Sequence, residues 1–291
     1  MSPSGRPSSG YRSAQDEAVS AGGETDSPIA VLALARRWVV DYFNRQDAGI
    51  CAQFIEPQYT LRIGETVFAG RDEQWLPAVD KQFQTFPGMG MTVHQVLVGS
   101  DRVAVLFSEH GASGGVGGRE AVWSGVGIYR SNGRKLVGCV AQEDYQTRLR
   151  QLKSGRADPV EPPAAAPWDT PALPADAQAE AVVRRWLEQS WPIAGSRVRC
   201  DDEHITGVPL VFTVASGEIT ELFSSGCEVA FHVRQTGQYR GGLPGVEASD
   251  EAHVLHVNGI VRVEAGQVVA GRVIRDRIGL RAALLNKAGT R

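Results

Sequence analysis

The chain has 291 residues, enough for about two domains of ordinary size. Lys and Arg number 30 and Asp and Glu number 33, so the net charge is −3, which argues against a protein that binds nucleic acid or a membrane surface through bulk positive charge. A hydrophobic share of 42% excludes a chain that is disordered along its whole length.

Residues 1–27 are rich in Ser, Gly and charged residues and have no apolar stretch of the signal-peptide kind, so a disordered tail is expected there. No apolar run approaches the ~20 residues of a membrane-spanning helix, and no membrane partner is predicted. The four cysteines lie far apart and form no CxxC pair, which favours reduced thiols in a cytoplasmic protein without a metal site. No nucleotide-binding loop motif is present, and no cofactor is predicted.

The first half of the chain is predicted to contain helices followed by a strand meander. Apolar residues at helical spacing predict helices over 29–44, 48–54 and 72–83. Alternating patterns between turn signals predict strands over 59–63, 66–68, 92–98, 102–108, 121–130 and 136–145. This order indicates an α+β fold in which helices pack on one face of a curved antiparallel sheet.

A proline-rich stretch and a set of repeated words divide the chain. Residues 153–176 hold six prolines and are predicted to form an extended linker. Around it, Ala35-Arg36-Arg37-Trp38 returns as Val183-Arg184-Arg185-Trp186, and Val103-Ala104-Val105 returns as Val229-Ala230-Phe231. We therefore predict tandem domains over 28–152 and 177–291. The spacing between repeated words is shorter in the second domain, which is predicted to lack the third helix.

Several short sequence motifs then suggest a family. Phe68-Ala69-Gly70-Arg71-Asp72-Glu73 precedes the third predicted helix, Phe86-Pro87-Gly88 follows it, and the last strand runs into Asp144. This pattern resembles the SnoaL-like polyketide cyclases of the nuclear-transport-factor-2-like superfamily. A Trp that relatives often carry shortly before this Asp is replaced here by the stretch Cys139-Val140-Ala141.

The resemblance implies two tandem cone-shaped domains, each with a pocket between its sheet and its helices. It also implies cofactor-free cyclisation, isomerisation or dehydration of a small apolar cyclic substrate, such as a polyketide, terpenoid or steroid. Because relatives commonly pair sheet to sheet, the two domains are expected to form an intramolecular pseudo-dimer, and a homodimer of whole chains is left open.

Four residues are candidates for catalysis. The resemblance implies that Asp144 is the general acid or base, although an Asp before a polar helical stretch is also a normal helix cap. His94 lies on a predicted strand and His110 at the end of the next one, and either could polarise a carbonyl or relay a proton. Asp276 occupies the position of Asp144 in the second domain. A further set is expected to line the pockets and bind substrate: Trp75, Trp123, Tyr129, Tyr59 and His232.

Two other functions remain open from the sequence. The missing helix and the missing Trp favour a binding or scaffold protein without catalysis. The stretch Arg275-Asp276-Arg277 instead suggests epoxide hydrolysis, which requires a second carboxylate bridged to Asp276 by an Arg. An inward-facing carboxylate with an apolar rim would favour an enzyme.

Overall fold

The computed structural model describes residues 28–195 and 197–288, so the predicted tail over 1–27 lies outside the described residues. Two curved sheets, each with its own helices, make up an α+β architecture, as predicted from the order of elements. One sheet is built from the first half of the chain and the other from the second half.

The helices of the first half cover one face of the first sheet. Helix α1 spans Pro28–Arg36 and continues as a π-helical segment over Arg37–Phe43. Its buried residues Val31, Ala35, Trp38 and Val39 recur at helical spacing and form the stripe that faces the sheet. The other helices are α2 (Cys51–Phe54), α3 (Leu76–Thr85) and, after the last strand, α4 (Tyr145–Ser154).

The first sheet has six strands. In chain order they are β1 (Ile55–Ile63), β2 (Thr66–Ala69), β3 (Gly90–Val98), β4 (Arg102–Ala112), β5 (Glu120–Ser131) and β6 (Leu136–Glu143). Their spatial order is β2-β1-β6-β5-β4-β3. The expectation of a purely antiparallel sheet needs one correction, because β1 and β6 are parallel. No hairpin joins these two strands, so nothing forces them into an antiparallel pair.

The second half repeats this strand arrangement with fewer elements. It contains α5 (Ala177–Trp186), β7 (Arg197–Cys200), α6 (Glu203–Thr206), β8 (Val211–Ser225), β9 (Glu228–Gly241), β10 (Ala252–Glu264), β11 (Gln267–Arg275) and α7 (Arg277–Ala288). The order is β7-β11-β10-β9-β8, with β7 parallel to β11. Between β7 and β8 the described chain has only the four-residue α6, where the first half has α3. The duplication itself, the domain bounds and the linker bounds stay predictions.

The two sheets pack against each other through the faces that their own helices leave uncovered. Apolar side chains from both sheets form one layer there: Leu97, Ala104, Leu106, Val126, Ile128, Phe223, Ala230, Ile260 and Ile274. We call this layer the seam. Asn258 of β10 donates to the Val126 and Val140 carbonyls of the first sheet at 2.9 and 3.0 Å. Successive side chains of a strand therefore alternate between the seam and the core of their own half.

Candidate functional site

The alternation of side chains selects which polar residues enter the core of the first half. On β4, Val105 and Phe107 belong to that core and Leu106 belongs to the seam, so Glu109 points inward with Phe107. On β6, Cys139 and Ala141 belong to the core, which places Glu143 on the inner face as well. Two carboxyl groups thus enter one core from neighbouring parts of the sheet.

Glu109 and Glu143, which we call the carboxyl pair, lie within hydrogen-bonding reach of each other. Glu109 is only 2% exposed and accepts a hydrogen bond from Gln82 Nε2 of α3 at 2.6 Å. Glu143 accepts one from Trp123 Nε1 at 3.0 Å. Burial, and then the negative charge of Glu143, hold the pKa of Glu109 well above its usual range. These surroundings favour the protonated form of Glu109.

Tyr145 and Arg148 of α4 complete the cluster. The Tyr145 hydroxyl hydrogen-bonds with Glu143, and burial together with that carboxylate holds the pKa of Tyr145 well above its usual range. The Arg148 guanidinium lies 4.3 Å from the Tyr145 ring centroid, 5.0 Å from that of Trp123 and 5.4 Å from that of Phe86. Glu143, Tyr145 and Arg148 are half-buried, so the cluster reaches solvent at this end of the core.

Gly125 creates the space in which Glu143 and Phe107 meet. A Cβ atom at Gly125 would lie 2.4 Å from Phe107 Cζ and 3.1 Å from Glu143 Cγ. Gly125→Ala should therefore displace both side chains and lower the free energy of unfolding by about 1–3 kcal/mol, measured by urea denaturation. Gly115→Ala is the matched control, because a Cβ there meets nothing within 4 Å. Equal stability of both variants would contradict this packing.

Comparison with known proteins relates this core to a family. Residues 35–138 match the family model described as the SnoaL-like domain. This part, about a third of the chain, is similar to that family, and we call the first sheet with its helices the SnoaL-like domain. No curated protein matches the chain.

Solved structures similar to the chain include three with low sequence identity. A candidate SnoaL-like polyketide cyclase from Jannaschia sp. CCS1 has 17% identity and a TM-score of 0.39, over 45% of this chain and 99% of that one. AclR, a candidate hydroxylase from Streptomyces galilaeus, has 19% identity and a TM-score of 0.36, over 43% of this chain and 93% of that one. TsrD from Streptomyces laurentii has 19% identity and a TM-score of 0.37, over 42% of this chain and 94% of that one.

Asp144, the predicted acid or base, lies one position beyond Glu143 and is placed outside the core of the SnoaL-like domain. It caps α4, accepting hydrogen bonds from Thr147 N at 3.1 Å and Thr147 Oγ1 at 2.5 Å. It also pairs with Arg277 of α7 at 2.5 Å. Burial raises the pKa of Asp144, and the Arg277 charge opposes that rise. The structure therefore places Asp144 in a contact between the two halves of the chain.

The predicted histidines hydrogen-bond with groups other than the carboxyl pair. His110 Nε2 lies 3.1 Å from Thr92 Oγ1, and burial lowers the pKa of His110. His94 bonds through Nε2 to Ser108 Oγ at 2.7 Å and through Nδ1 to the Pro162 carbonyl at 2.9 Å. The structure thus brings neither histidine together with Asp144.

Four of the predicted substrate-binding residues, Tyr59, Trp75, Trp123 and Tyr129, are fully buried in the core of the SnoaL-like domain. Of these, Trp123 donates to the carboxyl pair. Four buried donors in this core have no hydrogen-bond partner among the described residues: Tyr42 Oη, Tyr59 Oη, Trp38 Nε1 and Trp75 Nε1. Unpaired buried donors are rare in folded proteins.

Asp276 does not pair with either neighbouring arginine, so the bridge that the epoxide hypothesis requires is not formed on it. Asp276 Oδ1 accepts from Gly279 N at 2.8 Å and caps α7, and burial raises the pKa of its carboxyl group. Arg275 pairs instead with Asp201 at 2.6 Å. Arg277 pairs with Asp144 and, at 2.8 Å, with Asp202. Both cations are directed toward acidic groups at the start of α6 and α4.

The second half holds different groups where the SnoaL-like domain has the carboxyl pair. In the first sheet, Gly125 lies opposite Phe107 on one neighbouring strand and Glu143 on the other. In the second sheet, Val257 lies opposite Val233 and Arg275 in the same way. By the same register, Gln235 corresponds to Glu109. Gln235 and Arg275 are both fully buried. Gln235 forms hydrogen bonds with Trp191 and with the Leu187 carbonyl, and Arg275 donates to Asp201. This core contains an amide and a guanidinium in place of an acid and a base.

His232 was predicted to line a pocket of the second domain, but the structure places it on the seam side of β9. Its Nε2 lies 3.1 Å from His256 Nδ1, and the two rings stack with centroids 5.3 Å apart. The observed pair joins two strands, a contact that sequence spacing cannot show. Burial, and then His256, lower the pKa of His232 to about 3.

This lowered pKa predicts acid sensitivity. The unfolded chain protonates His232 below its ordinary value of 6.5, whereas the folded chain does so only near 3. The stabilisation is therefore fully present above pH 6.5 and is lost as the pH falls. The slope should approach about 1.4 kcal/mol per pH unit. His232→Gln should remove this contribution, as seen by comparing urea denaturation of both proteins between pH 7 and pH 4. If the free energy of unfolding depended on pH in the same way in both proteins, the lowered pKa of His232 would be contradicted.

Within the part of the chain that the structure describes, no cluster of three or more His, Cys, Asp or Glu side chains could hold a metal ion. Among the same residues, no helix is long and apolar enough to cross a membrane.

Proposed function

We propose that the SnoaL-like domain catalyses acid–base chemistry without a cofactor on a small apolar cyclic substrate, by cyclisation, isomerisation or dehydration. The observation that carries this proposal is the carboxyl pair: two inward-facing carboxyl groups lie within hydrogen-bonding reach of each other inside an aromatic cluster. Glu143 is the base and Glu109 is the acid. A protonated and an ionised carboxyl group held side by side can supply both halves of a proton transfer.

The cluster suits the removal of a proton from a carbon next to a carbonyl group. The Glu143 carboxylate takes that proton, and Trp123 and Tyr145 hold the carboxylate in place by their hydrogen bonds. Glu109 donates its proton to the carbonyl oxygen as negative charge develops there. Arg148, stacked on three aromatic rings, adds a positive charge beside the forming enol. No redox partner is needed.

The surroundings favour a ring-shaped substrate that carries several oxygen atoms. Phe86, Trp123 and Tyr145 offer flat apolar surfaces next to the pair. The unpaired donors of Tyr42, Trp38 and Trp75 could bind carbonyl or hydroxyl oxygens in the interior. An oxygenated polycyclic compound such as a polyketide fits both features better than a plain hydrocarbon.

The test is deuterium exchange, which reports proton transfer whatever the final product is. The full chain is incubated in D₂O with a panel of cyclic ketones and cyclic 1,3-diketones, and deuterium at the carbon next to the carbonyl is measured by NMR. We expect at least one compound to exchange faster than in buffer. Binding of a panel member without any faster exchange would contradict catalysis and favour the binding-protein alternative.

A further inference from the structure

A cleft of about 500 Å³ opens between the two sheets, on the face of the first sheet opposite to the carboxyl pair. Its walls come from β1, β2, β5 and β6 on one side and from β8, β9 and β10 on the other. Its size lies within the ~300–1,000 Å³ that small-molecule sites usually occupy. Ile128 and Val140 give it apolar walls, and Arg62, Thr220 and His232 give it polar ones.

Four side chains form a continuous hydrogen-bonded chain that begins in this cleft. Thr220 Oγ1 lies 2.5 Å from His232 Nδ1, and His232 Nε2 lies 3.1 Å from His256 Nδ1. His256 Nε2 then lies 2.8 Å from Glu65 Oε1. The Glu65 side chain is 63% exposed, so the chain joins the cleft to bulk solvent.

The direction of each hydrogen bond follows from the last member. Glu65 is a carboxylate, because the hydrogen bond from His256 lowers its pKa, and it can only accept. His256 therefore donates from Nε2, and in the tautomer with hydrogen on Nε2 its Nδ1 is an acceptor. His232 must then donate from Nε2 and accept at Nδ1 from the Thr220 hydroxyl. All three bonds point the same way, from the cleft outward.

A β-bulge presents Thr220 to this chain. In the β8–β9 pairing, Ile219 opposes Val233 and Glu221 opposes His232, so Thr220 is an extra residue without an opposite partner. Bulges of this kind turn a side chain away from the regular alternation and occur often beside active sites. Here the bulge places the hydroxyl against the imidazole while leaving Thr220 exposed.

Arg62 supplies positive charge at the same place. Arg130 and Arg234 also line the cleft, but they pair with Glu221 at 2.6 Å and with Glu65 at 2.9 Å. Arg62 is half-buried, and its side chain forms no hydrogen bond or ion pair with any residue that the structure describes. Its charge lies close enough to His232 to contribute to the lowered pKa of that ring. A negatively charged ligand atom beside Thr220 would meet this guanidinium.

We propose that the cleft is a second ligand site, which binds a small cyclic molecule with an acidic hydroxyl group, a phenol or an enol, and deprotonates it. The ligand O–H bond breaks and its proton passes to Thr220 Oγ1, while the Thr220 proton passes to His232 Nδ1. The Nε2 proton of His232 moves to His256, and that of His256 moves to Glu65, which releases it to water. The ligand keeps the electron pair as an oxyanion held by Arg62. This site does not depend on the proposed function of the carboxyl pair.

The experiment is a titration of 4-nitrophenol with the full chain, at a pH one unit below the pKa of the free probe. The phenolate absorbs visible light and the phenol does not, so the ionised bound form is read directly. We expect phenolate to appear on binding. Arg62→Leu should weaken binding about tenfold or more, because it removes a charge-assisted contact. Thr220→Val should retain binding but lose the phenolate signal.

Arg36→Leu and Thr213→Val are the matched controls, since both residues are exposed and lie outside the cleft lining. Both should titrate like the unmodified protein. Binding of neutral phenol only, absence of binding, or a phenolate signal unchanged in Arg62→Leu and Thr220→Val would each overturn the proposal. ¹⁵N NMR of the imidazoles gives an independent check. His232 and His256 should both carry hydrogen on Nε2, and hydrogen on Nδ1 of either ring would contradict the proposed series of hydrogen bonds.

Discussion

Glu143→Gln should lower the rate of deuterium exchange into a responsive cyclic ketone by about 100- to 10,000-fold, the usual contribution of a positioned general base. Gln has the shape of Glu and can still accept from Trp123, so the fold should persist while the basic group is lost. Glu109→Gln should reduce the rate as well, because the acidic proton of Glu109 is removed. The measurement is the initial exchange rate by NMR at neutral pH.

Glu120→Gln is the control for this effect, since Glu120 is exposed at the start of β5. It should exchange at the unmodified rate. Asp144→Asn distinguishes the structural assignment from the sequence-based one, because Asp144 caps α4 and pairs with Arg277 away from the core. If a folded Asp144→Asn protein lost deuterium exchange while Glu143→Gln kept it, Asp144 rather than Glu143 would be the catalytic base.

Asp201→Asn should lower the free energy of unfolding by about 1.5–3 kcal/mol, because the buried Arg275 loses one of its two carboxylate partners and keeps only Glu203. Asp201 and Arg275 are both fully buried, and the Asp201 carboxylate accepts from Arg275 N and Arg275 Nε, each at 2.8 Å. Arg277 Nε lies 3.4 Å away. Asp201 has a positive φ of 45°, which Asn also tolerates, so the substitution changes charge and little else.

Asp250→Asn makes the same chemical change in an exposed pair. The Asp250 side chain is 92% exposed and pairs with Arg240 at 2.6 Å. Surface pairs contribute little, so its stability should change by less than about 1 kcal/mol. Urea denaturation of the three proteins measures the difference. Similar stabilities for Asp201→Asn and the unmodified chain would show that the two arginines do not depend on Asp201.

The sequence predicted the class of fold because that prediction depends on local patterns. Helical spacing over 29–44 and alternation over 121–130 are visible in the letters themselves. The shortened second half was also visible, as a change in the spacing of repeated words. The parallel pairing of β1 with β6 was not, because it joins strands that are far apart in the chain.

The candidates from the sequence differ from the proposed carboxyl pair by one residue at two places. His110 and Asp144 were selected where Glu109 and Glu143 face the core, and a shift of one position on a strand moves a side chain to the opposite face. Alternation alone could have found the pair: Val105 and Phe107 lead to Glu109, and Ala141 leads to Glu143. Asp144 was preferred on the strength of the resemblance and of its place at the strand end.

Contacts across the seam could not be predicted by this reasoning. The pairing of His232 with His256, of Asp144 with Arg277 and of Arg234 with Glu65 joins residues from different strands or from different halves. The first depends on how β9 and β10 are aligned within one sheet, and the other two depend on how the two halves are set against each other. Periodicity within one strand contains no information about that arrangement.

The most direct test of the central claim is the protonation state of Glu109. Carboxyl carbons of ¹³C-labelled Glu are followed by NMR through a pH titration, with Glu109→Gln and Glu143→Gln used to assign the two signals. We expect the Glu109 signal to titrate well above the ordinary value of 4.5, because burial and the Glu143 charge both disfavour the ionised form. A Glu109 signal that titrates near the ordinary value of 4.5 would contradict the raised pKa and, with it, the acid–base role of the carboxyl pair.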